Sequence, residues 1–202
     1  MDNRLVMSFN FLGTKIRISF LFCVVLSIML LQDRTLVALP LLSAVLVHEL
    51  AHIVAMFILD NSPKEINLSP YGLEITGANN MSINNEIIVA LVGPLVNLLV
   101  SVVFLLYYLV YLSTNELIWC VIWAIIGLFN LLPSYYLDGG TILFNVCLKF
   151  TSPQKSELVL KIASLTTSII LSLSGVYFIF INFNPSVLII GLYFFILTII
   201  KN

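Results

Sequence analysis

Charge is scarce in this chain: 9% of its 202 residues are Asp, Glu, Lys or Arg, while 60% are hydrophobic. Soluble domains carry about a quarter charged residues, so a water-soluble globule is excluded and the chain reads as an integral membrane protein. The net charge of −1 offers no basic field, and no nucleic-acid partner is expected. Cysteine is equally sparse. Cys23, Cys120 and Cys147 lie in apolar runs without CxxC spacing, and each reads as a small buried hydrophobe. The basic start runs into an apolar segment without a small-residue cleavage site, so no cleavable signal peptide is expected. Repeats and low-complexity segments are absent. Histidine occurs twice, at His48 and His52.

What is present is a series of long apolar runs. A membrane-crossing helix needs about 20 apolar residues, and the candidates are 18–31, 35–59, 87–112, 117–132, 158–181 and 187–200. The first and last are short and would need help from flanking Arg17 or a locally thinned bilayer. With the N-terminus inside, the cytoplasmic segments hold Arg4, Lys15, Arg17, Lys64, Lys149, Lys155, Lys161 and Lys201, and only Arg34 falls outside. Eight basic residues against one fit the preference for positive charge on the cytoplasmic side. The expected fold class is therefore an all-α membrane protein, a polytopic bundle of about six transmembrane helices with both termini cytoplasmic. Tyr107, Tyr108 and Tyr111 read as an interfacial belt near the outer face.

Two stretches do not fit simple helices. KEINLSPYGLEIT, residues 64–76, alternates about a Pro-Tyr-Gly turn, which predicts a small membrane-associated β-hairpin. GTKIRIS, residues 13–19, alternates in the same way and could pair with it. The second stretch is PSYYLDGG, residues 133–140, which interrupts an apolar region from Leu117 to Phe150.

The histidines lie in VHELAH, residues 47–52, inside the second run. Residues four apart share a helix face, so both imidazoles can address one point. This is the HExxH arrangement, in which zinc accepts two nitrogens at about 2.0–2.1 Å and Glu49 stands ready to take a proton from water. The bland alternative is a pair of core histidines bonded to backbone. It is weakened because both histidines of the chain and a glutamate occupy one apolar span, where unpaired polar groups only oppose insertion. A catalytic zinc usually has a third protein ligand and an open position. The candidates are Asp60, Glu86 and Glu116 at span ends, and Asp138, which follows a proline break and precedes two glycines that permit irregular backbone. If the second run enters from outside at Thr35, His48 and His52 lie roughly 20–26 Å down, and Leu132 of the fourth run lies at roughly 23 Å, at 1.5 Å per residue. That common level, nearer the cytoplasmic face, favours Asp138.

HELAH in one span and NLLPSYYLDGG, residues 130–140, in a later one resemble the site-2 protease family of intramembrane zinc metalloproteases. GPLVN, residues 93–97, resembles that family's third short signature. The likeness covers about residues 15–150, the expected metalloprotease core, with C-terminal helices at 158–200. Among compact members it looks most like the stage IV sporulation protease that processes a membrane-tethered sigma-factor precursor. The resemblance implies a single protease domain over residues 1–202 in a bacterial cell membrane, and one catalytic zinc held by His48, His52 and Asp138 with Glu49 as catalytic residue. A membrane-embedded or membrane-tethered protein would be the substrate, with a membrane regulator as a further partner. Asn97, Asn130, Gly93, Pro94, Pro133 and Gly139 are the candidate substrate-binding or supporting residues. For Asn97 an interhelical hydrogen bond is an equal alternative. Many relatives have proline before the Leu-Asp-Gly and arginine after the Gly-Gly, where this chain has Tyr136 and Thr141. The chain ends two residues after its last apolar run, so no PDZ or C-terminal CBS domain is expected.

Two other readings compete: a metal transporter using the histidines as a translocation site, and a catalytically inactive scaffold for transmembrane helices. Transport has no need of Glu49, and it normally shows polar residues on both sides of the midplane, whereas the outer half here offers little beyond Asp33, Arg34 and Glu116. The topology makes a direct prediction. In a cysteine-free background, single cysteines at Lys64 and Lys155 are shielded from an impermeant thiol reagent in intact cells, and one at Asn115 is labelled. The reverse labelling pattern would overturn the N-inside arrangement.

Overall fold

A computed structural model describes residues 6–11, 13–20, 37–69, 72–76, 81–182 and 184–200, with Val24, Ser27 and Leu31. Among the described residues there are six α-helices: α1 Ala38–Ile58, α2 Ile83–Tyr111, α3 Thr114–Asn130, α4 Asp138–Leu148, α5 Pro153–Asn182 and α6 Ser186–Ile200. The helices α1, α2 and α5 are long and apolar enough to cross a membrane, while α3 and α6 are shorter apolar helices. Much of the expected span at 18–31 lies outside the described residues; its first two residues, Ile18 and Ser19, belong to a strand, while Phe20, Val24, Ser27 and Leu31 are helical. Cys23, Asp33, Arg34 and the Pro70-Tyr71 turn also lie outside them.

Four strands form one sheet in the order β1 Val6–Phe11, β2 Thr14–Ser19, β3 Glu65–Ser69 and β4 Gly72–Thr76. The predicted hairpin is thus half of a larger sheet. GTKIRIS does pair with the 64–76 segment, through the parallel register Lys15↔Glu65 to Ile18↔Leu68. The addition is β1, which folds back antiparallel on β2. Its VMSFNF alternates at period two, and Gly13 supplies the positive φ of 83° that the tight connection needs. Parallel pairing of β2 with β3 requires a long crossover, and the chain between them contains α1.

The chain divides into two compact units, Met1–Asn85 with Val92–Gly127, and Glu86–Leu91 with Leu128–Asn202. In the first, the exit of α1 is pinned to the sheet. Asp60 takes φ +55°, Asn61 N–H donates to the Met56 carbonyl at 3.0 Å and Asp60 N–H to Phe57 at 3.2 Å, closing the helix in a Schellman turn. The next residues anchor β2: Thr14 Oγ1 donates to the Pro63 carbonyl at 2.7 Å and Lys15 N–H to that of Lys64 at 2.9 Å. Helices α2 and α3 meet through Ser101 Oγ, which donates to the Cys120 carbonyl at 2.8 Å, and through Phe104 against Trp119. Tyr107 and Tyr111 stack on each other and are exposed.

In the second unit α5 and α6 pack at backbone contact. A Cβ on Gly175 would lie 2.2 Å from the Leu188 nitrogen, and one on Gly191 would lie 2.5 Å from that of Ser172. Among the described residues the fully buried side chains include Asn97, Ser134, Ser156, Ser164, Ser168 and Thr198, while Leu99, Leu106, Val110, Leu173 and Ile200 are exposed. Small and polar groups inside with large apolar groups outside is the distribution of a protein dissolved in lipid, and it supports a membrane protein. In an exposed helix Gly→Ala is stabilising by about 1 kcal/mol. At Gly175 the sign reverses: overpacking against backbone costs about 1–3 kcal/mol, so Gly175→Ala lowers the thermal unfolding midpoint in detergent, and an unchanged or raised midpoint contradicts the close contact.

Candidate metal centre

The helix α1 delivers the site in the first unit. The run ALPLLSAVLVHELAHIVAMFI has no interior glycine and its one proline falls in the first turn, where a missing N–H is harmless. Its register therefore carries undisturbed through residues 48–52. His48 and His52 are both buried, their Nε2 atoms 3.1 Å apart and their rings at 86°. Two nitrogens each about 2.0–2.1 Å from a tetrahedral zinc lie about 3.4 Å from one another, so the pair already has nearly the spacing a single ion requires. Between neutral imidazoles the same contact is a hydrogen bond. Glu49 is half-buried on the adjoining face.

The helix α2 closes on this pair. A Cβ on Gly93 would sit 2.5 Å from His52 Nε2 and 2.9 Å from His48 Cε1, so only glycine lets α2 approach there. The helix α2 runs through Pro94 unbroken. What the proline removes is one backbone donor. One turn on, Asn97 is fully buried, with Nδ2 3.3 Å from His48 Nδ1 and Oδ1 buried without a partner. Half a turn of the carboxamide exchanges the two atoms. Oδ1 then accepts from Nδ1–H, which leaves the Nε2 lone pair of His48 available to a metal. One rotation thus gives Oδ1 a donor and His48 the metal-binding tautomer.

The second unit holds Asp138, half-buried as the first residue of α4. The chain between Asn130, the last residue of α3, and Asp138 is a tight series of turns: Leu132 N–H donates to Phe129, Ser134 to Leu132 and Leu137 to Ser134. It is fastened to α5 by Thr167 Oγ1 donating to the Pro133 carbonyl at 3.3 Å and by Tyr135 N–H donating to Ser164 Oγ at 3.0 Å. Gly139 and Gly140 are helical rather than irregular, which corrects the sequence-based reason for them. A Cβ at Gly139 would meet the Leu131 carbonyl oxygen at 2.1 Å and one at Gly140 that of Ser134 at 1.9 Å. The glycines let α4 begin directly beneath the turns, and Asp138 thereby gains the positive end of a helix dipole.

Sequence reasoning missed the fastening of this loop. Tyr135 Oη donates to Glu157 Oε1 at 2.8 Å, and burial together with that carboxylate pushes the Tyr135 phenol up to about 12. Nothing in the residue pattern links positions 135 and 157; only their approach in space does.

No family model matches this chain, and no curated protein matches it by sequence. Among solved structures it is similar to the site-2 protease from Methanocaldococcus jannaschii, with TM-score 0.63 and 22% identity over 95% of this chain and 92% of that one. The chain therefore has the fold of a site-2 protease.

The contact of Gly93 with both imidazoles gives a sharp test. Gly93→Ala forces the pair apart and lowers the stoichiometry of any zinc bound there in the purified protein. Asn97→Ala keeps both histidines, and zinc bound to them would be held about tenfold more weakly, the usual effect of losing a partner that orients a ligand. Full zinc content and unchanged affinity in both variants, by elemental analysis and competitive chelation, would show that α2 plays no part in the site.

Proposed function

We propose that this chain is a zinc metalloendopeptidase that hydrolyses a peptide bond within or beside a transmembrane segment of another protein. The observation that carries the reading is the buried His48–His52 pair, one helical turn apart at 3.1 Å with Glu49 beside it, inside an apolar helix. The fold likeness agrees with it. His48 and His52 with Asp138 would hold the ion, a donor set of two imidazoles and one carboxylate that matches known catalytic zinc sites. Bound there, zinc would supply Lewis acidity, polarising a carbonyl oxygen and easing the ionisation of water.

The chain's own residues do the rest. Asn97 holds His48 in the tautomer that presents Nε2. Glu49 takes a proton from the attacking water as its oxygen bonds to the scissile carbonyl carbon, then delivers that proton to the amine nitrogen as the carbon–nitrogen bond breaks. Asn130, Pro133 and Gly139 shape the turns that present Asp138. The strand β4, one of the two edge strands of the sheet, offers backbone groups to an extended substrate. Within residues 64–76 the strand β3 is covered on both sides by β2 and β4, which leaves β4. We further propose six spans with both termini cytoplasmic, and a membrane-tethered regulator such as a sigma-factor precursor as the class of substrate.

Glu49→Gln separates the two roles of the HExxH segment. Zinc stays bound, because neither histidine changes, while cleavage of a membrane-tethered reporter falls by several orders of magnitude. Asp138→Ala lowers both zinc content and cleavage, since two histidines alone hold the ion weakly. Cleavage near the wild-type rate in Glu49→Gln would sink the mechanism, and unchanged metal stoichiometry in Asp138→Ala would place the third ligand elsewhere.

A further inference from the structure

The second unit contains a cavity of about 240 Å³ lined by Glu86, Tyr135, Thr141, Phe144, Asn145, Glu157 and Leu160. Ligand pockets for drug-sized molecules begin at about 300 Å³, so this one suits a side chain rather than a free metabolite. Its polar wall consists mostly of acceptors. Glu86 has no ion-pair partner among the described residues, and the hydrogen bond that Glu157 receives comes from Tyr135 Oη. Asn145 is 2% exposed and its Nδ2 is used on the Thr141 carbonyl at 3.1 Å. Among the described residues no lysine or arginine lines the cavity; Lys161, one turn beyond Glu157 on α5, is not part of its wall. Two carboxylates and a carboxamide, with the neutral Tyr135 hydroxyl as the donor to Glu157, make a site short of positive charge. Phe144 and Leu160 supply the apolar surface along which a lysine or arginine stem lies.

We propose that this cavity binds a basic side chain of the substrate, at the flank of its membrane segment. The proposal rests on the protease reading above and names what the enzyme recognises. Membrane segments carry lysine and arginine at their cytoplasmic ends, and the N-inside arrangement puts the start of α2 with Glu86, and the start of α5 with Glu157, on that side. Through Tyr135 the wall is continuous with the turns that lead into Asp138. A basic residue seated here holds the chain beside the loop that presents a proposed metal ligand.

The test is binding and cleavage of two fluorescent membrane-spanning peptides that differ only in carrying Arg-Arg or Ala-Ala at the cytoplasmic flank. Binding is measured by anisotropy in nanodiscs on Glu49→Gln, which cannot turn the peptides over, and cleavage on the wild type. The Arg-Arg peptide binds about fivefold more tightly, as one partly screened ion pair allows. In the added presence of Glu86→Gln and Glu157→Gln that ratio falls to near one, and with Glu157→Lys it falls below one. Equal binding of the two peptides, or a ratio unaffected by the glutamine changes, overturns the proposal. Failure of the wild type to cut either peptide, with the binding ratio intact, would instead remove the protease reading and leave the cation site standing.

Discussion

Two imidazoles in lipid are tolerable only if something takes their lone pairs and protons, and that requirement organises the first unit. His48 and His52 lie one turn apart on α1, in a helix whose remaining side chains are almost all apolar. Both are buried. Each contacts the other, and Asn97 contacts His48, which answers part of that need. The need propagates outward to α2, which has glycine at 93 because any side chain there would occupy the imidazole positions, and asparagine at 97 because His48 needs a polar contact on its far nitrogen. Gly93 and Asn97 are one turn apart on α2, as the histidines are on α1. Two helical periods read against each other define the centre.

The same logic explains how the molecule holds together without a conventional core. In lipid, apolar contact between helices gains little over contact with acyl chains, so cohesion falls to close packing and to polar contacts. Gly175 and Gly191 bring α5 and α6 to backbone distance, and Ser101 and Thr167 reach carbonyls on other segments. Glycine and serine, poor residues for a water-soluble core, are the ones most enclosed. The turns before Asp138 depend on this economy most. They are irregular backbone whose polar groups need partners, and Ser164 and Thr167 on α5 provide two of them.

Periodicity made the helices legible. The apolar runs at 35–59, 87–112, 117–132, 158–181 and 187–200 became α1, α2, α3, α5 and α6 with ends displaced by a few residues, because length and hydropathy are local properties. Pairing between 13–19 and 64–76 was legible for the same reason, since both alternate at period two. The strand β1 was not, although Met7, Phe9 and Phe11 alternate with Ser8 and Asn10, because a short strand near a terminus gives few periods to count. The glycines at 139 and 140 were located correctly and explained wrongly. A glycine pair permits either irregular backbone or close approach, and sequence cannot tell which; only the carbonyls of Leu131 and Ser134 beneath them decide it. The cavity wall of Glu86, Asn145 and Glu157 was invisible altogether, since its residues are distant in sequence and individually ordinary.

The proposed proteolysis inside a membrane poses two problems that oppose each other. The chain has to offer an environment polar enough to stabilise unwound backbone and water, yet it has to remain inserted in lipid. In the first unit the expensive groups inside the apolar helices meet locally, which limits the opposition: the histidine pair on α1 and the asparagine on α2. The remaining charge lies toward helix ends, as at Glu86 and Glu157, where water is near and a carboxylate costs little. Chemistry that must be deep is confined to residues that satisfy one another. Recognition that depends on charge is better placed at the edge, where the substrate's own basic residues are held by the same preference for water and for the cytoplasmic face. Depth of the scissile bond and position of the flanking charge are then coupled by the length of helix between them, so an enzyme of this architecture could select its cleavage site by holding the end of the segment rather than by reading the residues at the bond.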